Sequence, residues 1–324
     1  MMNLKCESVF SLRRICSRRV ILSFVSLLFV LMLLSSNVYA ATFNAVSPAS
    51  AYNVDDIVND EQGLRDAITE ALDIAPVQYV IALAKDIVLT GSTLTIPATA
   101  NVVLISDGGT SMKLIGPNDM DTITIEDAGE LVLDGVIVTH DSGETGRGVY
   151  VNFGAKLTLI SGEISENNIY TVGIINDATF GGGVYNLGTF IMNGGTFCKN
   201  SAYNGGGVYN AGPNALFNMV GGIIGVGDSS NVGNSAYNGG GVYNAGGTFT
   251  MSGNAAILGN RATFGGGVYN AGGTFDMGDP ISSEVVSISG NTATSNGGGV
   301  YTVGATAIFN MYSNAVLSGR VLTK

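Results

Sequence analysis

The chain has 324 residues, with 14 basic and 25 acidic side chains and a formal net charge of −11 at pH 7. So acidic a chain repels nucleic acid and anionic lipid surfaces, and we expect neither as a partner. Of its 3 cysteines, Cys6 and Cys16 lie in the N-terminal segment discussed next, and only Cys198 follows. An intrachain disulfide is therefore not expected, and a large core or a repeating ladder must supply the stability.

The first 40 residues have the form of an export signal. An apolar run over residues 20–34 is followed by Val38-Tyr39-Ala40, whose small residues suit cleavage after Ala40. The run is shorter than the roughly 20 residues that a membrane-spanning helix needs. We therefore expect a cleaved signal and an extracellular or cell-surface protein, with an uncleaved N-terminal anchor as the alternative. Cleavage would leave 9 basic and 24 acidic residues, a net charge of −15. The basic residues before the run are Lys5, Arg13, Arg14, Arg18 and Arg19.

Residues 41–78 form an N-terminal segment with one predicted helix. Asn59 with Gln62 three residues later resembles a capping box, and Pro76 ends the helix. An open terminal coil of a repeat structure exposes apolar side chains and strand edges, so we expect this helix to cap one. Its predicted apolar face consists of Leu64, Ile68, Ala71 and Leu72.

Short apolar runs separated by polar or glycine breaks fill residues 79–170 and predict strands of degenerate coils. The runs cover residues 80–83, 87–89, 94–96, 102–105, 123–125, 131–133, 136–138 and 157–159.

A repeat dominates residues 146–324. Gly-Gly-Gly-Val-Tyr-Asn begins at Gly181, Gly205, Gly239 and Gly265, and again at Gly297 with Thr in the Asn place. Each copy continues with Phe-x-Met, then an apolar residue three before an Asn, then Asn-x-Ala. The Phe-x-Met phenylalanines are Phe190, Phe217, Phe249, Phe275 and Phe309, the later apolar residues are Phe197, Ile257 and Ile288, and the Asn-x-Ala asparagines are Asn176, Asn200, Asn234, Asn260 and Asn291.

Each unit is three short segments with period-two alternation, which predicts three strands per turn. We therefore predict an all-β fold, a right-handed single-stranded parallel β-helix over residues 79–324. Val, Phe and Met should form inward columns, and the repeated asparagines should stack as amide ladders at two turns. The final coil begins with Phe309 and shows no cap, so a partner could cover that edge, unless the chain is truncated there.

These repeats resemble those of polymorphic outer-membrane proteins and of adhesin-like β-helical proteins. The matching residues are Gly182-Gly183-Val184 and its equivalents, together with Phe197-Cys198-Lys199-Asn200; other copies have Ile in place of the Phe. The resemblance covers residues 146–324 well and residues 79–145 weakly. It implies a β-helix displayed at the cell surface, with host or neighbouring-cell proteins or glycans as partners. The chain departs from the family in lacking a recognisable C-terminal barrel, sorting motif or second apolar anchor.

An enzyme is the rival interpretation, since many polysaccharide lyases and glycoside hydrolases are β-helices. Such a site needs converging carboxylates, with a basic residue or calcium. In the clear repeats the acids Asp228, Asp276, Asp279 and Glu284 occupy different phases. Arg261 takes a variable turn position, and Lys199, Arg320 and Lys324 are the other bases there.

Acidic residues concentrate over residues 107–144, and His140-Asp141 beside Arg147 comes nearest to a catalytic group. We interpret this region as a charged, solvated loop rather than a site, because charge runs are usually surface. A weak calcium site at Asp119, Asp121 and Asp127 stays an open alternative. Cys198 is interpreted as a small residue filling a repeat position rather than a catalytic thiol. No catalytic residue, metal or cofactor is expected.

One candidate binding surface remains. The tyrosines after each inward Val share one phase and should stack outward as an aromatic strip. The simpler interpretation is structural, because stacked aromatics cover a sheet; the functional one is a flat strip that grips a glycan or a protein. The column consists of Tyr185, Tyr209, Tyr243, Tyr269 and Tyr301, with Tyr150 in an earlier, degenerate copy.

Overall fold

The computed structural model describes residues 52–170, 179–226, 233–318 and 321–323. They form a parallel β-solenoid of about nine turns, with all strand pairs parallel. This confirms the predicted all-β parallel β-helix, including the degenerate coils, whose predicted strands all pair in the ladder. A short 3₁₀ turn covers Asp107–Gly109.

Most strands belong to three stacks that run along the solenoid. The Phe-Met stack consists of Asp56–Val58, Gln78–Leu83, Asn101–Ser106, Glu130–Asp134, Lys156–Leu159, Thr189–Met192, Leu216–Met219, the later parts of Val242–Met251 and Val268–Met277, and Ala307–Met311. The Val-Tyr stack consists of Leu94–Ile96, Ile123–Ile125, Val149–Val151, Val184–Asn186, Val208–Asn210, the early parts of Val242–Met251 and Val268–Met277, Val300–Thr302 and Val321–Thr323. The third stack consists of Ile87–Val88, Lys113–Ile115, Val136–Thr139, Gly162–Ser165, Thr196–Cys198, Ile223–Gly225, Ala256–Leu258, Val286–Ser289 and Ala315–Leu317.

A fourth stack exceeds the three strands per turn that the sequence predicts. It forms where Asn-x-Ala leads back to the glycines, because that segment also alternates with period two. Its strands are Ser201–Asn204, Ser235–Asn238, Arg261–Phe264 and Thr292–Asn296.

The interior is filled by columns of equivalent side chains, as predicted. Phe217, Phe249 and Phe275 are fully buried and stack with ring centroids 4.7 and 4.6 Å apart. The column continues to Phe190 at one end, at 4.7 Å, and to Phe309 at the other, at 4.9 Å. Valines and methionines at equivalent positions pair in the same register and are buried as well, except Met311 of the final coil, which is 47% exposed although the pattern predicts it inward.

Two amide ladders run beside these columns, and both are buried. In each, the Nδ2 of one asparagine donates to the Oδ1 of its equivalent in the next coil, at 2.8–2.9 Å. The ladders pair polar groups that would be costly to leave unpaired inside the corners, although the Oδ1 of Asn186, at the end of one ladder, has no hydrogen-bond partner among the described residues. One ladder is Asn186, Asn210, Asn244 and Asn270; the other is Asn167, Asn200, Asn234, Asn260 and Asn291.

The asparagine that precedes Asn200 in the ladder and donates to it is Asn167, whereas the sequence pattern predicted Asn176 at that position. Asn176 lies outside the described residues. The pattern was misleading because Asn167 is followed by Asn168-Ile169 rather than by x-Ala.

The helix Glu61–Asp73 covers the first coils. Its N-cap is Asp60, whose Oδ1 accepts a hydrogen bond of 2.9 Å from the backbone N–H of Gly63, so the capping box predicted at Asn59 is wrong by one residue. Leu72 is exposed, and Ala67 takes its predicted place on the apolar face. The buried face Leu64, Ala67, Ile68 and Ala71 joins the same core as the strands, which confirms a capping helix.

Two further parts of the N-terminal segment join the solenoid. The strand Asp56–Val58 extends the Phe-Met stack on the N-terminal side of the helix. Before it, Tyr52 and Val54 pack on outward apolar side chains of that stack, such as Val80 and Val103.

Candidate functional site

The predicted tyrosine column exists on the outside of the Val-Tyr stack. Each tyrosine is paired in register with the next, and the rings stack at centroid distances of 4.8–5.2 Å from Tyr150 to Tyr269. Tyr301 ends the column with its ring turned 72° to that of Tyr269.

The column is not the flat strip that the sequence suggested. Neighbouring rings from Tyr150 to Tyr269 are within 24° of parallel, so each ring face is covered by the next ring. Only ring edges and hydroxyls remain to face outward. Tyr185 and Tyr301 are buried altogether, and the others are half-buried.

A second tyrosine column, which the sequence analysis missed, lies beside the first on the fourth stack. Tyr203 and Tyr237 stack at 5.0 Å, and Tyr170 stacks on Tyr203 at 6.5 Å. Tyr170 and Tyr237 are 40% and 37% exposed, more than any tyrosine of the first column. The sequence contains a repeat that could have predicted this column, because Ser201-Ala202-Tyr203-Asn204 recurs as Ser235-Ala236-Tyr237-Asn238.

Phenylalanines fill places between the two columns. Phe180 stacks on Tyr209 with centroids 4.9 Å apart, and Phe264 lies 5.9 Å from Tyr301. The result is one aromatic corner, defined here as both tyrosine columns with Phe180 and Phe264.

The glycine triplets bring the two columns together. Gly205 has φ +66°, a conformation that side chains disfavour. A Cβ on Gly206 would lie 2.6 Å from the carbonyl oxygen of Gly240 in the next coil. The chain therefore turns sharply between Tyr203 and Tyr209, through three glycines that carry no side chain.

Three phenols of this corner, those of Tyr203, Tyr243 and Tyr269, have a raised pKa and remain protonated donors at physiological pH. Burial raises the pKa of Tyr243 to about 12, with Tyr269 and Tyr203 adding to the effect. Burial also raises the pKa of Tyr203 and of Tyr269, reinforced by neighbouring tyrosines. The corner therefore presents neutral hydroxyl groups on an acidic chain.

At one end of the corner lies a buried arginine. The guanidinium of Arg147 lies 5.3 Å from the ring centroid of Tyr150 and 5.0 Å from that of Tyr185. It pairs with both carboxylate oxygens of Asp121 at 3.2 Å and donates through Nε to the carbonyl of Phe180. Burial raises the pKa of Asp121, and Arg147 opposes that rise.

His140 is buried too, at 1% exposure, so the interpretation of this region as a solvated loop is wrong for His140 and Arg147. The Nδ1 of His140 lies 2.8 Å from Oδ1 of Asn167, and its Nε2 lies 3.0 Å from the carbonyl oxygen of Met120. Both partners are acceptors, because the Nδ2 of Asn167 already donates to Asn200 and Val138. His140 therefore terminates an amide ladder, while Asp141 is exposed.

The three aspartates of the calcium alternative are held in different contacts. Asp119 accepts from the hydroxyl of Thr145, Asp121 pairs with Arg147, and Asp127 is exposed. Across the described parts of the chain, no three His, Cys, Asp or Glu side chains are arranged to hold a metal ion.

The thiol of Cys198 is buried, with its Sγ 3.3 Å from a carboxylate oxygen of Glu163. Burial, together with Glu163, raises its pKa to about 12. A thiol held protonated is a poor nucleophile, which supports a structural role.

The charged residues of the clear repeats are dispersed, as their phases predicted. Asp276 accepts from Asn310, Lys199 pairs with Glu166, and Arg261 is exposed. Asp228, Arg320 and Lys324 lie outside the described residues. In the final coil Ile308, Met311 and Val316 are exposed, and a partner at that edge stays a prediction.

Comparison with protein-family models, curated proteins and solved structures found no match to this chain. Among the described residues, no helix combines the length and the apolar character that crossing a membrane requires.

Proposed function

We propose that the chain is an exported scaffold that contacts proteins or glycans at the cell surface through the aromatic corner. The aromatic corner is the observation that carries this proposal, because a double column of tyrosines gathers hydroxyls and ring edges on one side of a regular rod. Tyrosine combines a large apolar ring with a polar tip, which suits recognition surfaces. Export is supported by the sequence of residues 1–40. Adhesion or host contact is supported by the resemblance to polymorphic outer-membrane and adhesin-like repeats.

Catalysis is not proposed. The groups nearest to a catalytic set, His140 and Arg147, are buried in contacts that complete a ladder and an aromatic column. Purified chain should release no cleavage product from pectic or other extracellular glycans, with or without added calcium. Product formation above background would instead support the β-helical lyase or hydrolase.

Binding of the purified, labelled chain to intact cells tests the proposal. The double substitution Tyr243→Ser and Tyr269→Ser removes two neighbouring rings from the first column. We expect the fraction of chain bound to cells to fall severalfold. Phe153→Ser is the matched control, because Phe153 is 57% exposed and lies outside the corner. Far-ultraviolet circular dichroism should show that all variants keep the β fold. Equal binding by wild type and the double variant would remove the corner from the proposal.

A further inference from the structure

We infer that the fourth stack and its tyrosines bind an extended, uncharged polysaccharide lying parallel to the solenoid axis, with its sugar rings in step with the coils. This inference rests on the proposed contact function and names its ligand class. The binding strip is defined as the outward side chains of the fourth stack, together with Tyr170.

The chemistry of the binding strip favours a neutral, hydroxyl-rich ligand. The outward positions of the four strands carry Ser201 and Tyr203, Ser235 and Tyr237, Arg261 and Thr263, and Thr292 and Thr294. Within the four strands of this stack, all of them described, Arg261 is the only charged side chain. On a chain of net charge −11, the binding strip carries a single charge, that of Arg261, and otherwise presents neutral side chains. A charged protein partner would find little to pair with there.

The hydroxyls of the binding strip can match those of a sugar. Tyrosine hydroxyls both donate and accept hydrogen bonds, as sugar hydroxyls do. The raised pKa of Tyr203, caused by burial and by Tyr237 and Tyr170, keeps that phenol protonated. The exposed ring edges carry partial positive charge and attract ligand oxygens. The Ser201 and Ser235 hydroxyls are already 3.2 Å apart, so the row is oriented before a ligand arrives.

The spacing of the binding strip selects a periodic ligand. Tyr203 and Tyr237 lie 5.0 Å apart, Tyr170 lies 6.5 Å from Tyr203, and the neighbouring column repeats at 4.8–5.2 Å from Tyr150 to Tyr269. Rings of an extended β-linked polysaccharide recur at nearly the strand spacing of a sheet, so each added ring can meet an equivalent coil. Linked weak contacts of this kind add up through effective concentration. A globular protein surface offers no such repeat.

Titration of the purified chain with unbranched, uncharged β-linked oligosaccharides of increasing length tests the inference. The panel is cello-, xylo-, manno- and chito-oligosaccharides, with oligogalacturonates as the anionic comparison. We expect at least one neutral series to bind, with affinity rising at each added ring until the binding strip is covered. Tyr203→Phe with Tyr237→Phe should weaken binding about thirtyfold, which corresponds to two lost hydrogen bonds of ordinary strength.

Tyr312→Phe makes the same chemical change away from the binding strip and should leave the affinity unchanged. Cell binding without binding to any neutral series would overturn the inference while leaving the proposed function standing. Binding to neither cells nor glycans would overturn both. Binding to oligogalacturonates alone would refute the ligand class. A wild-type dimer in light scattering that the double Phe variant abolishes would show that the binding strip pairs two copies instead.

Discussion

Phe249→Ala tests the stacked interior most directly. Phe249 is fully buried, with ring centroids of Phe217 and Phe275 at 4.7 and 4.6 Å. Truncating a buried phenylalanine to alanine costs about 3–5 kcal/mol through lost transfer free energy and the remaining cavity. A rigid ladder limits how far neighbouring coils can close on the cavity, so we expect a value near the upper end.

Two further variants divide this loss into its parts. Phe249→Leu keeps most of the apolar volume but removes both ring contacts, each worth about 0.5–1.5 kcal/mol. We expect a loss of about 1–3 kcal/mol from this variant. Phe309→Ala should cost less than Phe249→Ala, because Phe309 is only half-buried and has one stacked neighbour in the column, Phe275.

The measurement is urea-induced unfolding followed by circular dichroism, combined with hydrogen exchange to locate the weakened coil. Local exchange is needed because coils of a repeat protein contact chiefly their neighbours and can open separately. Phe153→Ala is the control and should change stability by less than about 0.5 kcal/mol. If Phe249→Ala cost no more than Phe153→Ala, the phenylalanine column would not form the core.

The other predictions concern the ladder, the buried ion pair and the thiol. Asn234→Ala should lower the free energy of unfolding in urea by about 3 kcal/mol or more, because it leaves several buried donors and acceptors unpaired. Asn238→Ala, at a half-exposed position, should lower it by about 1 kcal/mol. Equal losses from the two variants would contradict the ladder. Arg147→Ala should lower the free energy of unfolding by about 2 kcal/mol at neutral pH, since it leaves the partly buried carboxylate of Asp121 without its partner. Without Arg147 to oppose it, burial raises the pKa of Asp121 further. The loss of stability should therefore shrink as the pH falls through that folded-state pKa, because the carboxyl becomes protonated. A loss of stability that grows in acid would refute the pairing. The thiol of Cys198, with a pKa of about 12, should resist iodoacetamide at pH 8 until urea unfolds the chain, and rapid labelling of the native protein would contradict its burial.

The repeat was sufficient to predict the coil register. Val184, Val208, Val242, Val268 and Val300 occupy one column, although the intervals between them in the sequence differ, because extra residues are accommodated in turns. Period-two alternation correctly distinguished inward Phe217 from outward Asn218. These features follow from local pattern plus repetition.

The fourth stack and the second tyrosine column were harder to predict. Asn-x-Ala was interpreted as a turn, because asparagine and glycine punctuate turns. In the structure the residues between Asn200 and Gly205 are extended and pair with the next coil. Whether such a segment is a turn or a strand depends on hydrogen bonds to residues about one coil away, which composition does not reveal.

The burial of the charged region around Arg147 also depends on contacts with neighbouring coils. Its local composition, rich in acids and glycine, is that of an exposed loop. But Arg147 directly precedes the degenerate Gly148-Val149-Tyr150 unit, where the tyrosine column begins. The guanidinium lies beside the first two rings of the column, 5.3 Å from the centroid of Tyr150 and 5.0 Å from that of Tyr185, and its charge is balanced by Asp121 from the preceding coil. The Nδ1 of His140 lies 2.8 Å from the Oδ1 of Asn167, where the amide ladder has no earlier asparagine. The burial of Arg147 and His140 thus follows from their contacts with neighbouring coils rather than from their neighbours in sequence.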